Sequence, residues 1–359
     1  MTDRLRNHCE LFERNRAAVS KKFMFENAMM SIAAGLIFTG ADKEADPDRL
    51  KECRSILSQH TGIFSEYRDT VKLALLSEMA LSGDPEQYIE DVKAVYKKIH
   101  RGHLKDNSYM VLAAMLICDL GKQEHADEII EKHHEIMQHM EKLHPIITNS
   151  EDISYTILLA LSDRPADVIL SDINACSDYL KAAFKHKIGA DSIQGLSELL
   201  ALTDGDFRIK CDRVIRIFDA LKENKAEIGG GYVFFSLGTL TGIDETTETL
   251  VNEIMEANEF LKSCKGFDEK SMDKKDRLMF AVLLTAGSFG TSAAMINNTF
   301  ISSAFGIIKA KQIATMITIL SNVLPPVIGA VTDRDNTETD DSETPPPEQE
   351  DAENTDTTK

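Results

Sequence analysis

The stretches LLALSD (residues 158–163) and LLALTD (residues 199–204) are nearly identical and lie 41 residues apart. Each closes an apolar run with a polar turn, and each is followed by a charged, amphipathic run. Self-similarity at a step of about 40 residues is typical of helix-turn-helix repeats. The pair therefore predicts an array of helical hairpins.

The same pattern of an apolar run and a polar turn recurs on both sides of this pair. The further copies are GLIFTGAD (35–42), LLSEMALSGD (75–84), AAMLICDLGK (113–122), LGTLTGID (237–244) and AVLLTAG (281–287). The steps between turns run from about 38 to 43 residues, a length that suits one hairpin per repeat. The repeat therefore predicts hairpins along most of the chain.

Two kinds of helix alternate in this pattern. Runs such as ILLALS are apolar nearly all round, as a helix enclosed by neighbours must be. The runs after the turns are amphipathic and begin with helix-start signals: Asp84 precedes Pro85, and Asp206 opens the helix that follows it. We expect apolar inner helices and amphipathic outer helices.

The fold class predicted is all-α, since no segment alternates with a period of two residues. Hairpins that contact mainly their neighbours favour an α-solenoid-like array. The alternative is a closed α/α toroid, in which the first and last hairpins meet. The repeat spacing alone does not choose between the two arrangements.

Composition divides the chain into a body and a tail. Residues 331–359 hold eleven acids, two bases and three consecutive prolines, which predicts a disordered acidic tail. This tail carries −9 of the net charge of −19, so residues 1–330, the helical-repeat body, are acidic as well. Nucleic acid is therefore excluded as an expected partner, because binding phosphates needs clustered Lys and Arg.

Six widely spaced cysteines show no metal-binding motif, which favours reduced thiols in a cytoplasmic protein. The N-terminal segment mixes acids and bases and does not resemble a signal peptide. Residues 278–308 and 312–332 carry no charge. We expect residues 278–330 to form apolar terminal helices that close the array or mediate self-association, with a membrane-associated protein as the alternative.

Five histidines fall within residues 125–144, but none is placed like the zinc pair of a metalloprotease. His134 and His139 are five residues apart, whereas two imidazoles share a helical face at a spacing of four. The weak metal candidates are Glu131, His134, Glu135 and His139. The alternative is a solvated helical face, and no cofactor is predicted.

A preferred binding edge is marked by tyrosines and polar residues at equivalent points of the repeat. These binding-surface candidates are Tyr109, Asp152, Tyr155, Gly230, Gly231 and Tyr232. Corresponding loop positions of a repeat protein line one surface. The alternative is that the polar residues only cap helices, the tyrosines pack against their neighbours as hydrophobic staples, and the glycines only form a tight turn.

Four segments resemble a known family: ITNSEDISYTILLALSD (147–163), GGGYVFFSLGTLTG (229–242), KKDRLMFAVLLTA (274–286) and IIKAKQIATMI (307–317). They are similar to the domain-of-unknown-function 4003 family of uncharacterised bacterial proteins, mostly from Gram-positive bacilli. The resemblance covers roughly residues 11–330. It implies a bacterial, cytoplasmic helical protein and carries no activity onto particular residues.

Three functions are compatible with these patterns. The leading hypothesis is a protein- or peptide-binding scaffold, which needs no catalytic residue. The first alternative is an α/α-toroid enzyme whose central pocket would collect Asp106, Asp152, Tyr155 and Tyr232. The second is a membrane-associated helical protein. Whether the protein is an enzyme stays open, with the balance toward a binding role.

Overall fold

The computed structural model describes residues 1–62, 65–68, 70–101, 107–143, 152–185, 187–226, 228–289, 304 and 306–309. Side chains of Leu143 and Tyr232 are outside this description. The described residues contain helices and no strand, so the all-α class is confirmed. The acidic tail at 331–359 and most of residues 290–330 lie outside the described residues.

Seven amphipathic helices alternate with seven apolar ones in the described part of the chain, and we number as hairpins one to seven, in chain order, each amphipathic helix with the apolar helix that follows it. The amphipathic helices are α1 (Asp3–Lys22), α3 (Pro47–His60), α5 (Pro85–Ile99), α7 (Ala126–Leu143), α9 (Ala166–Phe184), α11 (Phe207–Glu223) and α13 (Thr247–Ser263). The apolar helices are α2 (Ala28–Gly40), α4 (Lys72–Leu81), α6 (Ser108–Asp119), α8 (Asp152–Ala160), α10 (Ala190–Leu200), α12 (Tyr232–Ser236) and α14 (Lys274–Ser288). Short 3₁₀ turns at Glu66–Arg68, Gln123–His125 and Leu237–Leu240 complete the described elements.

The predicted helix starts are confirmed. Asp84 accepts hydrogen bonds from the backbone N–H groups of Glu86 and Gln87, and Asp206 accepts one from Arg208. These bonds satisfy N–H groups that have no partner within the helix. These two outer helices, α5 and α11, therefore begin directly after their capping aspartates.

The outer helices form a closed ring. Each odd-numbered helix packs on the next one, and α13 packs on α1. Helix α1 also packs on α14. Closure is the arrangement that the toroid alternative predicts, whereas an open array would leave the first and last hairpins apart.

Polar and aromatic contacts join the two ends of this ring. Thr2 Oγ1 and Arg4 Nη2 donate hydrogen bonds to the two carboxylate oxygens of Glu253, at 2.6 and 2.8 Å. The Phe12 ring meets the Phe267 ring edge to face, with centroids 6.0 Å apart. Glu253 is 3% exposed and Phe12 is fully buried, so closure takes place in the core as well as at the surface.

The apolar helices lie inside the ring, as expected. Nearly every residue of α2, α6 and α8 is buried, whereas α11 buries one face, including Cys211, Val214 and Leu221. Residues 278–287 are buried within α14, which accounts for the start of the charge-free stretch. No helix in the described ranges combines the length and the apolar character needed to span a bilayer.

A short helical piece, residues 304 and 306–309, also lies in the interior, and we call it the inner segment. All five of these residues are buried. A β-carbon on Gly306 would overlap Leu36 Cδ1 of α2 and come within 3.2 Å of Leu283 Cδ1 of α14. The inner segment is therefore tightly enclosed by helices of the first and last hairpins.

Candidate functional site

The candidate residues identified from the sequence lie at the starts of inner helices. Asn107 caps α6 just before Tyr109, Asp152 is the first residue of α8, and Gly231 directly precedes α12. Ser154 Oγ donates to the Tyr109 carbonyl at 3.0 Å, which joins α8 to α6. These candidates therefore lie at the starts of three inner helices, α6, α8 and α12.

The loop that contains Gly230 and Gly231 packs closely against α10. Gly231 has φ +81 and ψ −152, a conformation that glycine adopts without steric cost. Its N–H donates to Ser192 Oγ of α10 at 2.6 Å. A β-carbon on Gly230 would lie 2.8 Å from the same oxygen. Glycine at both positions lets the loop approach α10 closely.

The centre of the site is the ammonium group of Lys309, in the inner segment. Its Nζ lies 4.7 Å from the ring centroid of Tyr155 and 4.6 Å from that of Phe235. Lys309 is 2% exposed, and Gly195 of α10 leaves the space into which the Phe235 ring fits. A cation within about 6 Å of an aromatic face is attracted to it, and more strongly when water is excluded.

Two carboxyl groups complete this aromatic cage. Burial, and after it the charge of the nearby Asp152 carboxyl group, raise the pKa of Glu198 to about 8 against the opposing effects of the Gln194 hydrogen bond and the Lys309 charge. Gln194 Nε2 donates to Glu198 Oε1 at 3.0 Å. We define the caged-lysine site as Asp152, Tyr155, Glu198, Phe235 and Lys309. Its groups are suited to holding a cation away from water.

Tyr109 and Tyr155 are packed against other residues, as the alternative to an exposed binding surface expects. Tyr109 and Tyr155 are 5% and 7% exposed, because inner helices are surrounded by other helices on nearly all sides. Tyr155 faces the inner segment instead of solvent. The Tyr232 side chain and Asp106 lie outside the described residues.

The metal candidates lie along α7 and are dispersed over its surface. Glu131 and Glu135 are exposed, and His134 and His139 are half-buried. Among the described residues, no group of three or more His, Cys, Asp or Glu side chains is placed to hold a metal ion. The buried histidine of this helix is His133, whose Nδ1 lies 2.7 Å from Thr156 Oγ1.

Sequence reasoning missed Glu198, Phe235 and Lys309, although two of them left a signal. Glu198 interrupts the apolar run of α10, and Lys309 interrupts the charge-free stretch near the end of the body. A charge inside an apolar run needs a partner in the core. Searching for such interruptions would have identified both residues, but not their contact.

A second acidic cluster lies at the opposite ends of the inner helices. Burial raises the pKa of Asp119 to about 7, and burial and the Asp119 charge raise the pKa of Glu78 well above its usual range. Tyr88 donates to Asp119 Oδ1 at 2.6 Å, which acts against the rise in the Asp119 pKa. Two neighbouring carboxyl groups therefore retain protons that unfolded carboxyl groups lose near pH 4.

We expect the free energy of unfolding to fall as pH rises from about 4 to about 7, because the folded chain binds more protons than the unfolded chain in this range. The Asp119→Asn variant should keep the Tyr88 hydrogen bond and be more stable than the parent above pH 7. The gain should be about 1–3 kcal/mol, since the carboxyl is half-buried. Urea unfolding at pH 4 and pH 8 measures it, with the exposed Asp219→Asn as control; equal pH dependence in all three proteins would contradict the assignment.

Fold and site together define an all-α protein of helical hairpins with an enclosed lysine at its centre. The chain belongs to the family described as Protein of unknown function (DUF4003), whose model matches residues 15–313. The matched range includes the inner segment and the caged-lysine site. No curated protein and no solved structure matches the chain.

Proposed function

We propose that this protein is a peptide-binding scaffold whose binding site is the interior of the helical ring. The observation that carries the proposal is the caged-lysine site, in which the Lys309 ammonium group lies 4.7 and 4.6 Å from two aromatic ring centroids and near the Glu198 carboxyl group. In this proposal the inner segment occupies the site in cis. The partner is a short helical peptide with the same types of side chain as the inner segment, and it takes the place of the inner segment in the site.

The chemistry of the occupant follows from the contacts of the inner segment. Ile307 and Ile308 are 5% and 0% exposed, so the walls accept two aliphatic side chains before the lysine. The close approach of Leu36 and Leu283 to Gly306 requires a small residue there. The peptide expected to bind therefore carries a small residue, two aliphatic residues and a lysine in succession.

The lysine should contribute most of the specificity. Withdrawing an ammonium group from water is costly unless opposite charge and aromatic faces replace the lost hydration. Each ring of the cage contributes on the order of 1–2 kcal/mol, and the Lys309 charge favours the ionised form of the neighbouring Glu198 carboxyl group. A neutral side chain of similar length should lose this contribution.

The test supplies the inner segment in trans, as a labelled synthetic peptide of residues 300–313. The protein is a Gly306→Leu variant, because added carbon atoms at this position overlap Leu36 and should expel the inner segment. Its matched control is Gly62→Leu, at an exposed glycine where a β-carbon would meet nothing within 4 Å. Fluorescence anisotropy measures binding, and circular dichroism shows that both variants stay helical.

We expect the Gly306→Leu protein to bind the peptide and the Gly62→Leu protein to bind it at least tenfold more weakly, because its own segment competes. A peptide with methionine at position 309 should bind at least about tenfold more weakly than the native peptide, since it loses the attraction of both rings. Equal binding of the two peptides would contradict the proposal that the caged-lysine site selects a lysine. A folded Gly306→Leu protein that binds neither peptide would overturn it.

One observation favours the enzyme as a second candidate function. Glu198, with a pKa of about 8, is protonated at neutral pH and lies near a second carboxyl group, Asp152. A carboxyl group that stays protonated at neutral pH beside a second carboxyl group is suited to general acid catalysis. A catalytic role predicts that Glu198→Gln abolishes turnover of a substrate, whereas the scaffold proposal predicts that it weakens binding of the lysine peptide selectively. Both proposals take the protein to be cytoplasmic, in keeping with its cysteine pattern.

A further inference from the structure

A cavity of about 210 Å³ lies between the sixth and seventh hairpins, away from the caged-lysine site. It is formed by the turn that follows α11, the last turns of α13 and the first turns of α14. The lining residues are Lys225, Ala226, Met255, Asn258, Glu259, Lys262, Glu269, Lys274, Arg277 and Leu278. Four of them are cations and two are acids, in a chain whose net charge is −19.

Arg277 forms the inner wall of this cavity and is 3% exposed. Its Nε donates to Asn258 Oδ1 at 3.2 Å, and its Nη1 donates to the Phe267 carbonyl at 3.0 Å. Both acceptors are neutral, and no carboxylate among the described residues lies within 4.0 Å of the guanidinium. A buried guanidinium without a carboxylate retains its charge and therefore attracts an anion.

Two exposed lysines add to the positive charge of Arg277 from the rim of the cavity. Lys225 and Lys262 are exposed, and they come from the ends of α11 and α13. Arg277, Lys225 and Lys262 thus approach the cavity from three different elements. Glu259 and Glu269 reduce the charge without cancelling it, since the lining as a whole keeps an excess of two positive charges.

We infer that this cavity binds a phosphate group, either as inorganic phosphate or as the phosphate of a small monoester. The volume is below the range of about 300–1,000 Å³ that is usual for drug-sized ligands, which favours a small anion. A guanidinium and two ammonium groups match the charge and the hydrogen-bond acceptors of phosphate. The start of α14 does not act as the anion ligand, because the Asp273 side chain already accepts from the N–H of Lys275.

The test measures thermal unfolding of the full-length protein in increasing inorganic phosphate, against sodium chloride at matched ionic strength. Phosphate that binds the folded state should raise the unfolding temperature in a saturable way. The test variant is Lys225→Gln combined with Lys262→Gln, since both lysines are exposed and their loss should leave the core intact. The control is Lys21→Gln, an exposed lysine of α1.

We expect the double variant to bind phosphate at least tenfold more weakly than the parent and the control. Arg277→Met should abolish the phosphate effect, and the double variant keeps the test valid if Arg277→Met fails to fold. Binding of both phosphate and glycerol 3-phosphate would assign the site to monoesters, and binding of phosphate alone would assign it to the free ion. A phosphate effect no larger than that of chloride, or one unchanged in the double variant, would overturn the inference.

Discussion

Replacing Phe12 by alanine should lower the free energy of unfolding by about 3–5 kcal/mol, the usual loss for truncating a fully buried phenylalanine. Phe12 is in the first hairpin, and it contacts Phe267 of the last one, which in turn meets Phe280 at 6.1 Å. Gly35 brings α2 against the same ring. The substitution therefore opens a cavity where the ring of helices closes. Equilibrium urea unfolding measures the loss.

Phe25→Ala is the matched control, because Phe25 is 98% exposed and lies in the same hairpin. Its effect should stay within about 0.5 kcal/mol. A double-mutant cycle of Phe12 and Phe267 should give a coupling energy of about 0.5–1.5 kcal/mol, as expected for an aromatic pair. Equal stabilities of the Phe12→Ala and Phe25→Ala proteins would show that the first and last hairpins are not joined through this contact.

The second large effect is expected at Lys210, which is 6% exposed. Its Nζ donates to the carbonyl oxygens of Leu200 and Thr203 at 2.7 and 2.8 Å, and it lies 3.7 Å from Asp172. Lys210→Met keeps most of the side-chain volume and removes all three interactions. Buried acceptors that lose their donors cost about 1–3 kcal/mol each, so the total loss should be about 2–4 kcal/mol.

Arg216→Met serves as the control for Lys210→Met, because Arg216 is an exposed cation of the same helix. Chemical unfolding at pH 7 should separate the two variants by at least about 2 kcal/mol. A loss at Lys210 no greater than that at Arg216 would show that the carbonyl groups at the end of α10 find other donors. The comparison thus tests the hydrogen bonds from α11 to the carbonyl groups at the end of α10 and in the turn after it.

Similar hydrogen bonds from side chains to backbone carbonyl groups recur around the ring, and they explain why the turns of the repeat are polar. Lys132 donates to the Ser162 carbonyl, Arg164 to the Ala201 carbonyl and Arg213 to the Ile243 carbonyl. In each case a side chain from an outer helix or its preceding turn satisfies a carbonyl group just after an inner helix. The sequence shows the polar turn, but not which distant donor reaches it.

The candidate site was predictable only in part. Asp152 and Tyr155 were selected because they stand at equivalent points of the repeat, and both belong to the caged-lysine site. Tyr155 is buried because the inner segment lies against it, and the position of the inner segment is set by contacts with α2 and α14. Lys309 lies more than 150 residues beyond Tyr155, and no local pattern relates the two.

The sequence by itself determined the helices and the division into apolar inner and amphipathic outer helices. These features depend on residues three or four apart and on capping groups next to each helix, so they can be read locally. Only the tertiary structure decided that the ring closes and that Lys309 meets Tyr155 and Phe235. Closure joins Thr2 to Glu253 across 251 residues, and it depends on the small rotation added at every hairpin, which the repeat period does not specify.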